Sequence, residues 1–213
     1  MLKNNKREVK IMKRIVVPGE LITDKKKKLG ENIFIKDDKI YSSVLGILNE
    51  TDDFVSIVPL NGPYIPQEND PVVCVVRNIT ANGYIIDVNS HSDCFFPKSQ
   101  ITRELKIGQT LFARVKGVDG VEISELDNIN ILPEGQVISI SSVKVPRIIG
   151  KNDSMVNLLK KYTQANILVG RNGWIWYVSK NSYLLEKTIK LISKNSQKSN
   201  LTNTIEEYLK NNQ

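Results

Sequence analysis

Alternation of apolar and polar positions, the mark of half-buried strands, governs most of the chain before residue 145. The β-branched run Ile15-Val16-Val17 stops at Pro18-Gly19. Residues 32–36 read as the next strand, turned by Asp37-Asp38-Lys39, and 39–48 and 53–58 follow. Pro59-Leu60-Asn61-Gly62-Pro63 closes this stretch with two prolines and a glycine. Five more strand candidates come next, at 71–78, 84–89, 94–97, 110–117 and 120–124. Glycine or asparagine turns separate most of them, and five short strands at this spacing suit a small closed barrel of the OB type. In the second of these, Tyr84, Ile86 and Val88 share one face, and Ile85 and Asp87 share the other.

The period then changes. Residues 136–145 are strand-like, but 154–163 carry Met155, Leu158, Leu159 and Tyr162 at helical spacing, with Ser154 as the expected N-cap. Strands at 166–169 and 174–179 are joined by Gly170-Arg171-Asn172-Gly173, where Asn-Gly predicts a type I′ hairpin. A helix over 183–194 places Leu185, Ile189 and Ile192 on one face. Asn203 and Glu206 can box the start of a last short helix carrying Ile205, Tyr208 and Leu209. If 147–150 is a first helical turn, the order is strand, helix, helix, strand, strand, helix. The pattern thus predicts a multidomain chain, β-rich and then α+β. A small N-terminal β domain with a basic arm spans 1–66, a five-stranded barrel 67–135, an α+β domain 136–197, and a tail with a short helix 198–213. No repeat of 20–50 residues is evident.

Charge sharpens this division. The 213 residues carry 30 Lys+Arg against 23 Asp+Glu, a net of +7. Residues 1–28 hold 10 basic and 3 acidic residues, 29–135 hold 8 and 16, and 136–213 hold 12 and 4. A polyanion partner is therefore expected at the two ends and not in the middle. The run Lys25-Lys26-Lys27-Lys28 reads on its own as a solvated face.

Constellations for catalysis are missing. There is no GxxxxGK[ST] phosphate loop and no HExxH. The single histidine, His91, stands in a polar loop, and Asp37-Asp38 and Asp52-Asp53 sit beside turns where surface aspartates are ordinary. Cys74 and Cys94 exclude a disulfide scaffold and a CxxC zinc site, and read as core thiols in a reducing compartment. No apolar run reaches the ~18 residues of a membrane span. The basic start is followed by just three apolar residues before Pro18, so no signal-peptide core is expected. Trp174 and Trp176 alternate with Ile175 and Tyr177 as in a strand packed on one face. The 170–173 turn could take phosphate through Arg171, but Gly170, Asn172 and Gly173 are better read as a structural turn.

Specific stretches resemble known modules. Val145-Pro146-Arg147-Ile148-Ile149-Gly150-Lys151-Asn152-Asp153-Ser154-Met155 resembles the GxxG loop of a KH domain, with Gly150 at the first glycine and Asp153 in place of the second. Asn82-Gly83-Tyr84-Ile85-Ile86-Asp87-Val88 and Asp93-Cys94-Phe95-Phe96-Pro97-Lys98-Ser99-Gln100-Ile101 resemble the second and third strands of an S1-type RNA-binding barrel. Ile85 replaces that family's base-stacking aromatic, Pro97 its frequent histidine, and Glu122 a basic residue of the last strand.

The S1-then-KH order, with Val17-Pro18-Gly19-Glu20, Pro59-Leu60-Asn61-Gly62-Pro63-Tyr64-Ile65-Pro66 and the GxNG turn before Trp174-Ile175-Trp176, narrows the field. Over about residues 14–195 the chain resembles the cap subunit of the archaeal RNA exosome, of the ribosomal-RNA-processing-four kind. The resemblance implies a non-catalytic, cytoplasmic RNA-binding subunit that needs no cofactor. In such assemblies three cap subunits sit on a hexameric ring of RNase PH-like proteins. The cap recruits RNA, with a preference for adenine-rich tails, and the ring degrades it from the 3′ end. RNA would meet Arg147, Gly150, Lys151, Asn152, Lys160 and Lys161 around the KH-like loop. Lys98, Arg103, Arg114 and Lys116 would serve in the barrel, though inside a net-acidic segment. The N-terminal domain would dock on the ring through Pro18, Gly19, Leu60 and Tyr64, among Ile15, Val16, Val17 and Ile65. The competing readings are a free-standing S1/KH factor of the ribosome or translation, and a nuclease acting alone.

Overall fold

A computed structural model describes residues 14–120 and 122–212. The expected basic arm, up to residue 13, lies outside the described residues. The chain forms two compact units, one ending at Gly62 and one starting at Pro63.

The first unit is all β: β1 (Ile15–Val16), β2 (Leu21–Thr23), β3 (Lys28–Leu29), β4 (Ile33–Lys36), β5 (Lys39–Ser42), β6 (Gly46–Glu50) and β7 (Phe54–Pro59). They build one sheet in the order β1-β6-β7-β3 and another in the order β2-β5-β4. Val16, Ile40, Leu48, Val55 and Ile57 form its core. The β4–β5 hairpin turns on Asp37 and Asp38, both left-handed, at φ 51° and 58°, which is type I′ geometry without the usual glycine. The lysine run is not uniform. Lys25 and Lys26 are exposed, as a solvated face requires. Lys27 turns inward, with Nζ 2.8 Å from the Glu50 carboxylate and 2.6 Å from the Thr51 carbonyl.

The second unit begins with the barrel: β8 (Pro71–Ile79), β9 (Gly83–Asp87), β10 (Cys94–Pro97), β11 (Thr110–Asp119) and β12 (Glu122–Ile131). The sheet order is β10-β9-β8-β11-β12. Register shifts along β11 and β12 bend the sheet until β10 lies against β12, so the barrel is nearly closed. Tyr84, Ile86 and Val88 point into the core with Val72, Cys74, Val76, Phe96, Leu111 and Val115. The last strand runs seven residues past the expected 120–124, because the polar Asp127-Asn128 pair there faces outward while Leu126 stays buried. Tyr64 is a correction to both the 1–66 boundary and its docking role. It is 8% exposed in the barrel core, and its hydroxyl donates to the Asp70 carboxylate at 2.9 Å.

The α+β part follows as β13 (Gln136–Ser139), α1 (Val145–Ile149), α2 (Ser154–Thr163), β14 (Asn166–Val169), β15 (Trp174–Val178), α3 (Ser182–Lys194) and α4 (Leu201–Lys210). The sheet order is β13-β15-β14. The expected strand over 136–145 is shorter, since a 3-10 turn at Ser142–Lys144 leads into α1. Ile148, Met155, Leu159, Ile167, Ile175, Leu185, Ile189 and Ile192 make the core. Leu201, Ile205 and Leu209 of α4 belong to the same core, so the expected short helix is part of this domain and does not stand outside it. The Asn203 box does not form: α4 begins at Leu201 after a left-handed Asn200. Asn181 does cap α3, accepting from the Leu184 N–H at 3.1 Å.

Candidate nucleic-acid interface

Gly150 ends α1 with φ 76° and ψ 172°. A Cβ there would lie 2.7 Å from the Met155 nitrogen and 2.7 Å from Ser154 Oγ, so the loop folds tightly onto the first turn of α2. Asn152 (φ 52°) and Asp153 (φ 60°) follow, two successive non-glycine residues in the left-handed region. Left-handed backbone costs an ordinary L-residue roughly 1–2 kcal/mol, less for Asn and Asp. Ser154 is the first residue of α2 and not its N-cap; Asp153 holds the N-cap position but makes no side-chain cap bond. Asn152 and Asp153 here accept conformations that glycine would take freely.

Arg147, Lys151, Asn152 and Asp153 are all exposed around this loop. Lys160 and Lys161 are exposed too but occupy the last turn of α2. At 1.5 Å per residue they stand about 10 Å along the helix from the loop. Cations there also complement the negative end of the helix, and Lys161 Nζ lies 5.2 Å from the Tyr162 ring centroid.

The barrel cations are differently placed. Lys116 pairs with Glu125 at 2.7 Å, and Arg114 donates to the Asn69 carbonyl at 2.9 Å. Lys98 is exposed beside the β8–β9 turn, 3.4 Å from the Ala81 carbonyl. Arg103 is exposed in the loop after β10. Glu122 accepts from Ser92 Oγ at 2.7 Å.

Phe95 was not among the sequence candidates. It is 46% exposed in mid-strand, directly across from Ile85 in the β9–β10 register. A Cβ on Gly83 would come within 2.5 Å of its ring, so one face of the ring lies over that glycine. The aromatic that Ile85 lacks is present one strand over, on the same outer surface. Strict alternation reveals it: Cys94 and Phe96 point inward, so Phe95 must point out.

The GxNG turn has a different use. Asn172 is fully buried. Its amide donates to the carbonyls of Val73 and Val88, both at 2.7 Å, and accepts from the Val73 N–H at 3.3 Å. The Arg171 N–H donates to the Pro71 carbonyl at 2.7 Å, and Asn89 Nδ2 to the Asn172 carbonyl at 2.6 Å. The hairpin is not type I′. The Gly173 N–H closes the turn on Gly170 at 3.1 Å, and of the Asn-Gly pair Gly173 alone has a positive φ, 85°. This is the bulged three-residue form, and it frees Asn172 to clasp the barrel.

In the first unit, Pro18 and Gly19 are exposed and Leu60 is half-buried. Ile15 (63%) and Val17 (52%) stand exposed beside them in sequence, and Ile35 (55%) is exposed on the β4–β5 hairpin of the same small domain. Val16 does not join them, because it is in the core. Glu20 is held below the usual carboxylate range by its hydrogen bonds from the Arg14 guanidinium and the Val17 N–H. The cysteines are free thiols, and burial pushes Cys94 up to about 11 and Cys74 higher still. Among the described residues no three His, Cys, Asp or Glu side chains converge to hold a metal ion, and no helix is long and apolar enough to cross a membrane.

Two family models match the chain. One, the N-terminal domain of the exosome RNA-binding protein RRP4, covers residues 13–61, and a KH domain covers 135–182. The exosome complex component Rrp4 of Methanosarcina acetivorans is 40% identical over 214 residues, covering 93% of this chain and 82% of that protein. The chain belongs to the Rrp4 family of exosome complex components. The Rrp4 of Pyrococcus furiosus is 36% identical, covering 85% of this chain and 76% of its own. A crystal structure of an exosome complex RNA-binding protein superposes with a TM-score of 0.63 at 25% identity, over 70% of this chain and 97% of its own. The Rrp4 N-terminal match stops at residue 61, next to the structural boundary at Gly62. The KH match stops at residue 182, before most of α3 and all of α4, which complete the same core.

Proposed function

We propose that this protein is a non-catalytic RNA-binding cap subunit of an archaeal exosome, which recruits RNA and delivers it to a phosphorolytic 3′–5′ exonuclease ring. The observation that carries this reading is the family match over 93% of the chain, to proteins named as exosome components. The first unit docks on the RNase PH-like ring through its exposed apolar residues around Pro18, Gly19 and Leu60. Three copies form the cap. Small domains bury little core, and a partner that covers Ile15, Val17 and Ile35 removes apolar surface from water.

RNA is held by two kinds of contact. Arg147 and Lys151 at the Gly150–Asp153 loop neutralise phosphates, with Lys160 and Lys161 further along α2. Phe95 offers the open face of its ring for base stacking, worth ~1–3 kcal/mol per base, with Lys98 on the same strand-and-turn segment. Arg114 and Lys116 contribute less, since Lys116 is already paired with Glu125 and Arg114 is tied to the Asn69 carbonyl.

The test mixes the full chain with a purified RNase PH-like hexamer on size exclusion. Co-elution, together with faster decay of an adenine-tailed RNA than by the ring alone, is the expected result. Binding of RNA without any association with the ring would instead support a free-standing S1/KH factor. RNA decay by the ring-free chain, abolished by a point substitution in it, would support a nuclease.

A further inference from the structure

The helix α3 presents a continuous outer stripe that the KH-like loop does not use. Tyr183, Lys187, Lys190 and Lys194 are exposed, while Leu184, Leu185, Thr188, Ile189 and Ile192 face the core. At 3.6 residues per turn the four exposed positions fall within a narrow arc and run about 16 Å along the axis. Tyr183 is 76% exposed, the most exposed of the large apolar side chains described. Lys187 Nζ lies 5.6 Å from its ring centroid. Of the three lysines, Lys190 alone has an acidic partner among the described residues, Glu186 at 3.5 Å. Glu186 is itself engaged by the Tyr177 hydroxyl at 2.5 Å.

A lysine-rich helix face is ordinarily just solvated. This one departs from that in two ways. Lys187 and Lys194 have no acidic partner among the described residues, and Lys190 shares Glu186 with the Tyr177 hydroxyl, so the face is only partly self-neutralised; it also starts at an aromatic ring that is 76% exposed. Spaced cations leading from a stacking ring are the recurring chemistry of single-strand recognition. An acidic protein surface would match the charge but would leave the exposed ring at the head of the stripe unexplained.

We propose that this α3 stripe is a second single-stranded RNA track. The lysines follow the phosphates, and a base stacks on Tyr183. The inference rests on the RNA-binding reading above, and it assigns contacts outside the KH loop and the barrel. A strand long enough to reach both sites would be held at both, which favours long RNA over short.

The test uses the full chain and a fluorescent 24-nucleotide oligoadenylate, with affinity measured across a salt series. Lys187→Gln/Lys190→Gln/Lys194→Gln is expected to lower the log–log salt slope by about 2, at ~0.7 per phosphate contact. Tyr183→Ala is expected to weaken binding about fivefold or more with the slope unchanged. All four positions are exposed, so thermal unfolding of both variants should match the parent and serves as the folding control. With a 6-nucleotide oligoadenylate the triple variant should lose less than with the long one. If the slope and affinity stay at the parent value while Lys151→Ala still weakens binding, the stripe is a solvated or protein-facing surface and the proposal falls alone. If the parent chain itself fails to bind the 24-mer at low salt, the RNA reading and the stripe fall together.

Discussion

In the barrel, Arg77 faces Asp93 and Asp87, Lys116 faces Glu125, and Arg114 reaches a backbone carbonyl. In the KH domain, Arg147 and Lys151 stand exposed beside the loop with no acidic partner among the described residues. Four candidate cations were read in each half, so a simple count treats the halves as equal. Pairing separates them in part: Lys116 is held by Glu125 and Arg114 by a backbone carbonyl, whereas Lys98 and Arg103 have no carboxylate partner among the described residues. A cation already bonded to a carboxylate must lose that partner before it neutralises a phosphate, whereas an unpaired one releases only water and counterions. The barrel's asset is instead an aromatic, Phe95, which attracts bases without charge. The comparison therefore predicts two separable contributions to RNA affinity, one sensitive to salt and one not.

The largest expected effect breaks the link between the halves. Asn172→Ala leaves the Val73 N–H and the Val73 and Val88 carbonyls without their partner. Buried unsatisfied groups cost ~1–3 kcal/mol each, so a loss of about 3 kcal/mol is expected, or a midpoint lower by about 6–12 °C. Unchanged thermal unfolding would show that the clasp does not hold the barrel and KH domain together.

Phe95→Ala isolates the uncharged contribution. RNA affinity should fall about fivefold or more, with the salt slope unaltered and Phe95→Trp retaining binding. A lower slope in Phe95→Ala would mean the ring works by placing a cation.

Asp153→Gly acts on the charged contribution. It removes a carboxylate from the loop proposed to meet phosphates and a Cβ from φ 60°. RNA binding should tighten by a few-fold to ~10-fold, and folding stability should rise by up to ~1 kcal/mol. A capping aspartate would give the reverse, slightly lower stability and unchanged affinity. The smallest effect is a control in the other unit. Asp38→Gly relaxes the type I′ turn and should stabilise it by under ~1 kcal/mol, with RNA affinity unaltered.

Much of this was legible in the chain, and the misses have specific causes. The alternation Tyr84, Ile86, Val88 announced the barrel because a half-buried strand must repeat every second residue. The KH order was readable because Met155, Leu159, Leu185, Ile189 and Ile192 repeat at helical spacing. The Asn172-Gly173 turn was misread because local propensity for type I′ yields to a tertiary demand: Val73 and Val88 need partners that lie about 85–100 residues away in sequence. Helix α4 was expected as a short helix, but it was left outside the KH domain because its apolar face names no partner until the fold brings α2 and α3 beside it. Tyr64 was assigned to the first unit because the prolines around it mark a break without saying on which side the ring is buried. Phe95 was available from alternation alone and was overlooked beside Phe96.

The central claim, that the KH cations carry more of the electrostatic part of RNA capture than the barrel cations, has a direct test in the intact chain. Barrel and KH domain share one compact unit, so substitutions serve better than fragments. One variant replaces Arg147, Lys151, Lys160 and Lys161 with Gln, and the other replaces Lys98, Arg103, Arg114 and Lys116. RNA affinity is then measured across a salt series for both. The account predicts that the KH variant lowers the log–log slope by about 2 to 3 and the barrel variant by about 1 or less, at ~0.7 per contact. A larger drop in the barrel variant would contradict it.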